Sequence, residues 1–295
     1  MTQQRLKFAI FGNVYQEKKS MAIQKLLAVL QRSGAEIAIA QPFYDFLNEG
    51  QKIKLPKCEI IEDENFTADF VVSLGGDGTF LNVASQVREK QIPILGINTG
   101  RLGFLATFLP EDIETLITDI GRGRYNLVSH SVIQLQSPDI QLEGCPFALN
   151  DIAILKHDNS SMISIRTSIN GEYLTTYQAD GLIVGTPTGS TAYSLSVGGP
   201  IVVPQSNTIT LTAVAPHMLN MRPIVLCDDV DIELKVESRT HRFLVAVDGR
   251  SQSYSDNIHL RIRRAPYAVK VVNRHGHSFF QTLSKKMMWG LDQRG

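Results

Sequence analysis

The first 125 residues alternate two patterns of apolar positions. Short continuous apolar runs, typical of strands covered on both faces, lie at residues 6–11, 36–40, 69–74 and 92–97. Apolar residues at helical spacing lie between or after them, at residues 21–30, 80–88 and 110–120. Gly34 is placed to end the first of these helices. The alternation predicts an α/β domain over residues 1–125, in which helices cover a parallel sheet.

After residue 125 the alternation gives way to short runs rich in β-branched residues. They lie at residues 147–155, 163–169, 209–214, 230–236 and 243–247. Asn170-Gly171 is the strongest hairpin signal in the chain, and Asp248-Gly249 is a similar turn candidate. We therefore expect a mostly antiparallel β domain over residues 126–277. Residues 278–295 regain helical character, and we expect this C-terminal tail to pack on the first domain.

Composition and charge disfavour several classes of protein. Hydrophobic residues make up 43% and charged residues 20% of the 295 residues, which is ordinary for a globular chain of two domains. Lys and Arg together number 29, as do Asp and Glu, so no bulk charge attracts the chain to nucleic acid or to a membrane. No apolar stretch approaches the roughly 18 residues that span a bilayer. Three isolated cysteines and a polar N-terminus unlike a signal peptide favour the reducing cytoplasm.

The candidate chemistry begins with Gly-Gly-Asp-Gly-Thr at residues 75–79, between a predicted strand and a predicted helix. Ligands of α/β sheets bind at the carboxyl ends of strands, and a following helix offers unpaired N–H groups to an anion. Glycines there let a phosphate approach the backbone. Asp77 would repel phosphate unless it accepted a proton from an attacking hydroxyl or helped to hold a metal. The alternative is a tight turn in which Asp77 caps the helix.

Two further segments carry polar residues that invite a functional explanation. Asn150 and Asp151 interrupt the apolar run at residues 147–155, so a ligand would explain them, although a turn or bulge would also do so. Residues 186–196 are rich in hydroxyls and glycine, and they form either a plain loop or a contact for adenine or ribose. Neither the G-x-x-x-x-G-K-[ST] nor the G-x-G-x-x-G signature occurs, which disfavours a dehydrogenase.

Taken together, these strings resemble the bacterial NAD kinase family. The loop at residues 75–79 is shared more widely, with lipid kinases and, in near form, with phosphofructokinases. More specific motifs are Gly-Ile-Asn-Thr-Gly-Arg-Leu-Gly-Phe-Leu at residues 96–105, Asn-Asp at 150–151, Asp-Gly-Leu-Ile at 180–183 and Thr-Pro-Thr-Gly-Ser-Thr-Ala-Tyr-Ser-Leu-Ser at 186–196. The resemblance extends over residues 8–290. It implies transfer of a phosphate from ATP or polyphosphate to the 2′-hydroxyl of the adenosine ribose of NAD.

The resemblance also implies roles for particular residues. Asp77 would accept the proton of the ribose hydroxyl, and Gly78 would pack against the dinucleotide. Asn150 and Asp151 would bind the adenosine half of NAD, and Asp180 the nicotinamide half. The residues expected to line the adenine pocket are Thr191, Ala192, Tyr193, Ser194, Leu195 and Ser196. The residues expected in the phosphate-donor loop are Gly75, Gly76, Gly78, Thr79 and Arg101.

Arg101 is the member of this set whose role is the most open. Its planar guanidinium matches phosphate oxygens, but a solvated loop arginine is an equal alternative. The resemblance further implies a divalent cation, Mg²⁺ with ATP, to which we assign no protein side chain. It also implies a homodimer or a homotetramer.

Three positions depart from the family pattern. Gln178, Ser161 and Arg250 stand where Arg, His and Gln are typical, so the phosphate donor and the regulation are open at the level of the sequence. Two other functions compete with the kinase assignment. A lipid kinase would need an apolar cleft or a membrane-binding face, and the chain has no basic amphipathic stretch. A dinucleotide sensor without activity would gain little from Asp77.

Overall fold

The computed structural model describes residues 5–13, 20–50, 53–100, 103–158, 161–274, 276 and 278–288. The chain divides into two units, of which unit 1 is Met1–Ser129 with Val269–Gly295 and unit 2 is His130–Ala268. The sequence pattern placed these divisions at residues 125 and 277. The described part of the C-terminal tail, up to Met288, belongs to unit 1, where the fold prediction placed it.

The described residues form strands and helices in the following order. The strands are β1 (Lys7–Gly12), β2 (Glu36–Ala40), β3 (Glu59–Ile61), β4 (Phe70–Gly75), β5 (Ile94–Asn98), β6 (Asn126–Gln136), β7 (Phe147–Ala148), β8 (Asp151–Lys156), β9 (Ile163–Ile169), β10 (Glu172–Ala179), β11 (Gly181–Gly185), β12 (Thr208–Val214), β13 (Ile224–Cys227), β14 (Ile232–Glu237), β15 (Arg242–Val247), β16 (Arg250–Ser255) and β17 (His259–Asn273). The α-helices are α1 (Ser20–Arg32), α2 (Gln41–Asp45), α3 (Asp77–Val87), α4 (Ile113–Gly121), α5 (Tyr193–Ser196) and α6 (Phe279–Met287). Short turns of 3₁₀ or π type lie at Phe46–Gly50, Arg88–Lys90, Pro110–Asp112 and Thr188–Thr191.

Unit 1 has the predicted α/β architecture. Its parallel sheet has the order β5-β4-β1-β2-β3, so β4 lies between β1 and β5. Both faces of β4 are buried, as its continuous apolar sequence predicts. Leu30 and Ile117, from α1 and α4, pack with Ile10 and Val72 of the sheet in one core. The sheet thereby fixes the end of β4, where the glycine-rich loop begins.

Unit 2 has the predicted antiparallel β architecture. One sheet has the order β13-β12-β11-β8-β15-β16, and a second contains β10, β9, β14 and the first part of β17. Side chains from both sheets, such as Ile154, Leu182, Ile165 and Leu234, form a single core. The two sheets are therefore the layers of a β-sandwich.

Both predicted hairpin turns are present in unit 2. Asn170 and Gly171 connect β9 to β10 with φ values of +51° and +81°. Asp248 and Gly249 connect β15 to β16 with φ values of +47° and +79°. Positive φ at both central positions is the geometry of a type I′ turn, which is why the Asn-Gly and Asp-Gly signals were informative.

The strand predicted over residues 147–155 is wrong in one respect. The chain pairs as β7 up to Ala148 and again as β8 from Asp151, with a bend at Leu149 and Asn150. Apolar residues on both sides of the bend are buried, so the hydrophobic pattern alone does not reveal the interruption. None of the helices in the described residues is long and apolar enough to cross a bilayer.

Candidate active site

In unit 1, the glycine-rich loop joins the carboxyl end of β4 to the amino end of α3. Strand β4 ends at Gly75, Gly76 is the N-cap residue, and Asp77 is the first residue of the helix. The helix begins three residues before the predicted start at residue 80. Asp77 is therefore not the N-cap, and no side chain caps this helix. The alternative in which Asp77 serves as a helix cap is wrong.

The Asp77 carboxylate instead binds the backbone of a loop that follows β5. Its Oδ2 accepts the N–H of Phe104 at 2.8 Å, and its Oδ1 accepts the N–H groups of Leu105 and Ala106 at 3.1 and 3.0 Å. A Cβ atom at Gly103 would lie 2.0 Å from Asp77 Oδ1, so this approach requires glycine there. Sequence reasoning did not single out Gly103 or Phe104 as partners of Asp77, although both lie within the motif at residues 96–105.

The glycines of the loop serve two different purposes. A Cβ atom at Gly75 would lie 2.2 Å from Thr79 Oγ1, so glycine at this position permits local packing. No atom lies within 4 Å of the position that a Cβ atom would take at Gly76 or at Gly78. These two glycines therefore face open space, as a loop that admits a phosphate requires. Arg101 lies outside the described residues.

In unit 2, the bend at Leu149 and Asn150 is held by a second carboxylate. Asp248 accepts the N–H groups of Leu149, Asn150 and Asp151 at 2.8, 2.8 and 3.2 Å. These three bonds hold the bend at Leu149 and Asn150, so that Asn150 lies between two strands and Asp151 begins β8. The Asn150 Oδ1 atom is buried and has no hydrogen-bond partner within the described part of the chain. A buried carbonyl oxygen in this condition is available to a ligand.

Asp151 is buried beside Asp248, and its pKa reflects both facts. Its residue exposure is 6%, and burial, followed by the charge of Asp248, raises the pKa of the Asp151 carboxyl to about 7. Burial also raises the pKa of Asp248, although its three backbone N–H donors and the charge of Arg250 oppose that rise. Near neutral pH, Asp151 is consequently balanced between a hydrogen-bond donor and an acceptor.

Residues 186–196 fold back on this bend. Thr186 Oγ1 donates to the Leu149 carbonyl at 2.5 Å, and a Cβ atom at Gly189 would lie 2.0 Å from the Asn150 carbonyl oxygen. Thr188 Oγ1 lies 2.8 Å from Nδ1 of His130, whose pKa is lowered to about 4 by burial. The imidazole is therefore neutral, and this segment is tied to the rest of unit 2 by buried polar contacts.

The six residues predicted to line the adenine pocket differ in what they present. Tyr193 and Ser196 are exposed, whereas Thr191, Ala192 and Leu195 are partly buried. Ser194 is buried, and its hydroxyl lies 3.0 Å from Thr212 Oγ1. That contact occupies the Ser194 hydroxyl within the fold, and Ser194 is the one buried residue among these six.

Asp180 lies at a cavity of about 630 Å³ in unit 2. Its carboxylate forms an ion pair with Lys156 Nζ at 2.8 Å, so it does not present an uncompensated charge. Gln178 and Ser161, two of the residues that depart from the family pattern, line the same cavity. Gln178 Nε2 donates to Ser164 Oγ at 2.7 Å. The cavity therefore brings two of the three departures together with a predicted ligand contact.

Within the residues described, no group of three or more His, Cys, Asp and Glu side chains is arranged to hold a metal ion. A second cavity of unit 2, of about 810 Å³, is lined by residues such as Leu135, Arg166 and Lys235 and by none of the predicted site residues.

Comparisons with known proteins agree with these motifs over nearly the whole chain. The ATP-NAD kinase N-terminal domain model matches residues 8–125, and the ATP-NAD kinase C-terminal domain model matches residues 149–274. An NAD kinase of Bacteroides fragilis is 57% identical over 289 residues, which cover 98% of this chain and 100% of the relative.

Solved structures share the fold. A yeast NADH kinase complexed with NADH superposes with a TM-score of 0.88 at 24% identity, covering 98% of this chain and 89% of that one. An NAD kinase from Archaeoglobus fulgidus in complex with ATP superposes with a TM-score of 0.74 at 25% identity, covering 96% and 99% of the two chains.

The raised pKa of Asp151 predicts how its replacement changes stability with pH. The pKa of the Asp151 carboxyl is about 7 in the folded protein and has its usual value of 3.8 in the unfolded chain. The protonated carboxyl therefore contributes its full stabilisation to the fold below pH 3.8, and this stabilisation is lost as the pH rises towards 7. Asp151→Asn removes the titration. Relative to wild type, the variant should gain up to about 2–3 kcal/mol in the free energy of unfolding between pH 5 and pH 7, with little further change above pH 8.

Urea denaturation at several pH values measures this difference. Asp180→Asn is the matched control, because Asp180 is partly exposed and ion-paired rather than buried beside another acid. A gap between Asp151→Asn and wild type that stays constant from pH 5 to pH 8 would show that the Asp151 carboxyl does not titrate in this range.

Proposed function

The chain belongs to the ATP-NAD kinase family, and on this premise we propose that it transfers the γ-phosphate of ATP to the 2′-hydroxyl of the adenosine ribose of NAD. The hydroxyl oxygen forms the new bond to phosphorus while the bond to the ADP oxygen breaks, and the hydroxyl proton passes to Asp77. The products are NADP, ADP and one proton. Membership of this family removes the lipid-kinase alternative.

The observation that carries the proposal is the position of the Asp77 carboxylate. Three backbone N–H groups hold it at the amino end of α3, and the adjoining Gly76 and Gly78 face open space. A ribose hydroxyl is a weak nucleophile near neutral pH, and a positioned carboxylate that takes its proton contributes roughly 10²–10⁴-fold. Apart from this proton transfer, a kinase accelerates phosphoryl transfer mainly by positioning the reactants and by neutralising the negative charge on the transferring phosphoryl group.

Unit 2 supplies the proposed contacts to the dinucleotide. The unpartnered Asn150 Oδ1 supports a role in binding the adenosine half, and Asp151 lies next to it in the chain. Asp180 retains its proposed role at the nicotinamide end, and residues 191–193, 195 and 196 retain theirs at the adenine end. For Ser194, the contact with Thr212 supports a role in shaping the segment rather than in touching the ligand.

The proposed metal enters with the phosphate donor. Mg²⁺ is usually held by substrate phosphates and waters with few protein ligands. We therefore treat Mg²⁺ as part of the MgATP substrate. Parallel assays with polyphosphate in place of ATP determine the donor preference.

We further propose that the enzyme acts in the cytoplasm as a homodimer or homotetramer. The three cysteines, Cys58, Cys145 and Cys227, are free, which suits a reducing compartment. Light scattering of the purified chain measures the number of subunits.

Replacement of the proposed base predicts a large loss of turnover. Asp77→Asn should lower kcat for NADP formation by at least about 10²-fold, because the amide cannot accept the hydroxyl proton. The amide also places an NH₂ group opposite a backbone N–H, so we expect a loss of about 1–3 kcal/mol in the free energy of unfolding. A coupled assay with Mg²⁺, ATP and NAD, run well below the melting temperature, measures kcat.

Asp112→Asn is the control for this loss. Asp112 also accepts a backbone N–H, that of Leu109 at 3.0 Å, and it also pairs with a cation, Arg274. The Asp112→Asn variant should keep its turnover, and it should lose no more stability than Asp77→Asn, because one backbone N–H binds Asp112 whereas three bind Asp77. A wild-type chain that forms no NADP in this assay would overturn the proposed function and favour a dinucleotide sensor. Near-normal kcat in a folded Asp77→Asn variant would remove only the role of Asp77.

A second substitution separates binding from folding at the bend in unit 2. Asn150→Ala removes a buried oxygen that has no partner in the fold, so the free energy of unfolding should not fall through lost hydrogen bonds of that atom. NAD affinity should fall by about 1–3 kcal/mol because a ligand hydrogen bond is lost. Calorimetry with NAD and with MgATP measures both affinities. Equal losses for the two ligands, or a loss of stability alone, would show that Asn150 is structural.

A further inference from the structure

The C-terminal helix of unit 1 brings a cation to the proposed base. Lys286, in the last turn of α6, places its Nζ 3.5 Å from Asp77 Oδ2 although the two residues are 209 positions apart. The same Nζ lies 4.5 Å from the centroid of the Phe104 ring. Both ionic side chains are partly exposed, at 35% for Lys286 and 28% for Asp77, so each can be reached by a ligand.

The position of Lys286 is fixed by the packing of its helix. Ser278 and Gln281 form a capping box at the amino end of α6. Phe279, in the first turn, contacts the Phe104 ring with 6.1 Å between centroids, and Leu283 is buried. Phe104 is also the residue whose N–H binds Asp77 Oδ2. Helix, ring and carboxylate therefore form one cluster within unit 1.

The acceptor capacity of Asp77 shows where a substrate hydroxyl has to approach. A carboxylate offers about four acceptor positions, two on each oxygen. Two backbone N–H groups occupy Oδ1, and one, from Phe104, occupies Oδ2. The remaining position on Oδ2 is the one that the Lys286 ammonium faces. A hydroxyl that gives its proton to Asp77 must take that position, and it then lies beside the ammonium.

Negative charge moves from Asp77 to the phosphoryl group during the transfer, and the Lys286 ammonium is placed to stabilise it. Before the reaction it faces an ionised carboxylate. When Asp77 accepts the hydroxyl proton, the carboxyl becomes neutral, and the hydroxyl oxygen is joined to a phosphoryl group whose oxygens carry the negative charge. A lysine on a flexible stem can follow the charge to those oxygens, and it stabilises the transferring group as it does so.

We propose that Lys286 is a further catalytic residue of the phosphoryl transfer, whose ammonium contacts an oxygen of the transferring phosphate beside Asp77. This assignment rests on the proposed function of Asp77. It makes the C-terminal helix part of the catalytic apparatus. The neighbouring Lys285 is exposed on the same helix and has no such role.

The test compares Lys286→Met, Lys286→Arg and the control Lys285→Met in the NADP assay. We expect Lys286→Met to lower kcat roughly 10- to 100-fold, as the loss of one stabilising group in a transition state does, while KM for NAD changes about threefold or less. Lys286→Arg keeps the positive charge and should recover most of kcat. Lys285→Met should equal wild type.

Melting temperatures of the same proteins distinguish catalysis from folding. Wild-type kcat in Lys286→Met would overturn the inference, and so would an equal loss of kcat in Lys286→Arg. If Lys286→Met and a second neutral variant, Lys286→Gln, both lose cooperative unfolding at the assay temperature, the role of Lys286 is structural and the inference is also wrong. An inactive wild-type chain would instead overturn the proposed function, so the two failures are distinguishable.

Discussion

In each unit, one aspartate holds three consecutive backbone N–H groups, and the candidate site depends on this interaction. Asp77 holds residues 104–106 in unit 1, and Asp248 holds residues 149–151 in unit 2. Hydrogen bonds to an ionised acceptor are stronger than neutral ones, and an N–H group that lost its acceptor here would be left partly buried. The two carboxylates thus fix backbone segments that regular pairing does not hold.

Several glycines follow from this constraint. Glycine at position 103 leaves room for the Asp77 carboxylate to contact the loop. Gly96 lies against the same loop, where a Cβ atom on Gly96 would be 2.6 Å from Ala106 Cα. In unit 2, the absence of a side chain at Gly189 likewise allows the close approach of the Asn150 backbone. At these positions, glycine is required by the close approach of another chain segment. At Gly76 and Gly78 the surrounding space is open, and a bound phosphate would account for glycine better than packing does.

How much of this the sequence predicts depends on how local each interaction is. The hairpins at Asn170-Gly171 and Asp248-Gly249 are set by two adjacent residues, so they were predicted correctly. The strand β4 was recognised because it is buried on both faces. Strand β16 was missed because its sequence, Arg-Ser-Gln-Ser-Tyr-Ser, contains almost no apolar residues. Its register is set by pairing with β15 and not by its own hydrophobicity.

In the candidate site, too, interactions between residues that are distant in the sequence were not predicted. Motif resemblance identified Asp77, Asn150 and Asp151, but it did not show what holds them. The bend at Asn150 depends on Asp248, which is 97 to 99 positions away from its three partners. The contact of Asp77 with Lys286 joins the first third of the chain to its end. Interactions over such separations leave no periodic signal in the sequence, and they become visible only when the fold brings the segments together.

The use of Asp248 as an acceptor also determines what Asp151 can do. Asp248 accepts three N–H groups, and Asp151 is buried beside it. Burial and the charge of Asp248 therefore disfavour a negative charge on Asp151 and raise the pKa of its carboxyl to about 7. A protonated Asp151 can donate a hydrogen bond, while the adjacent Asn150 Oδ1 can accept one. A ribose hydroxyl needs both kinds of partner. The same carboxylate that bends the chain at residues 149–151 thereby gives the polar pair complementary hydrogen-bonding capacities, which supports the proposed contact with the adenosine half of NAD.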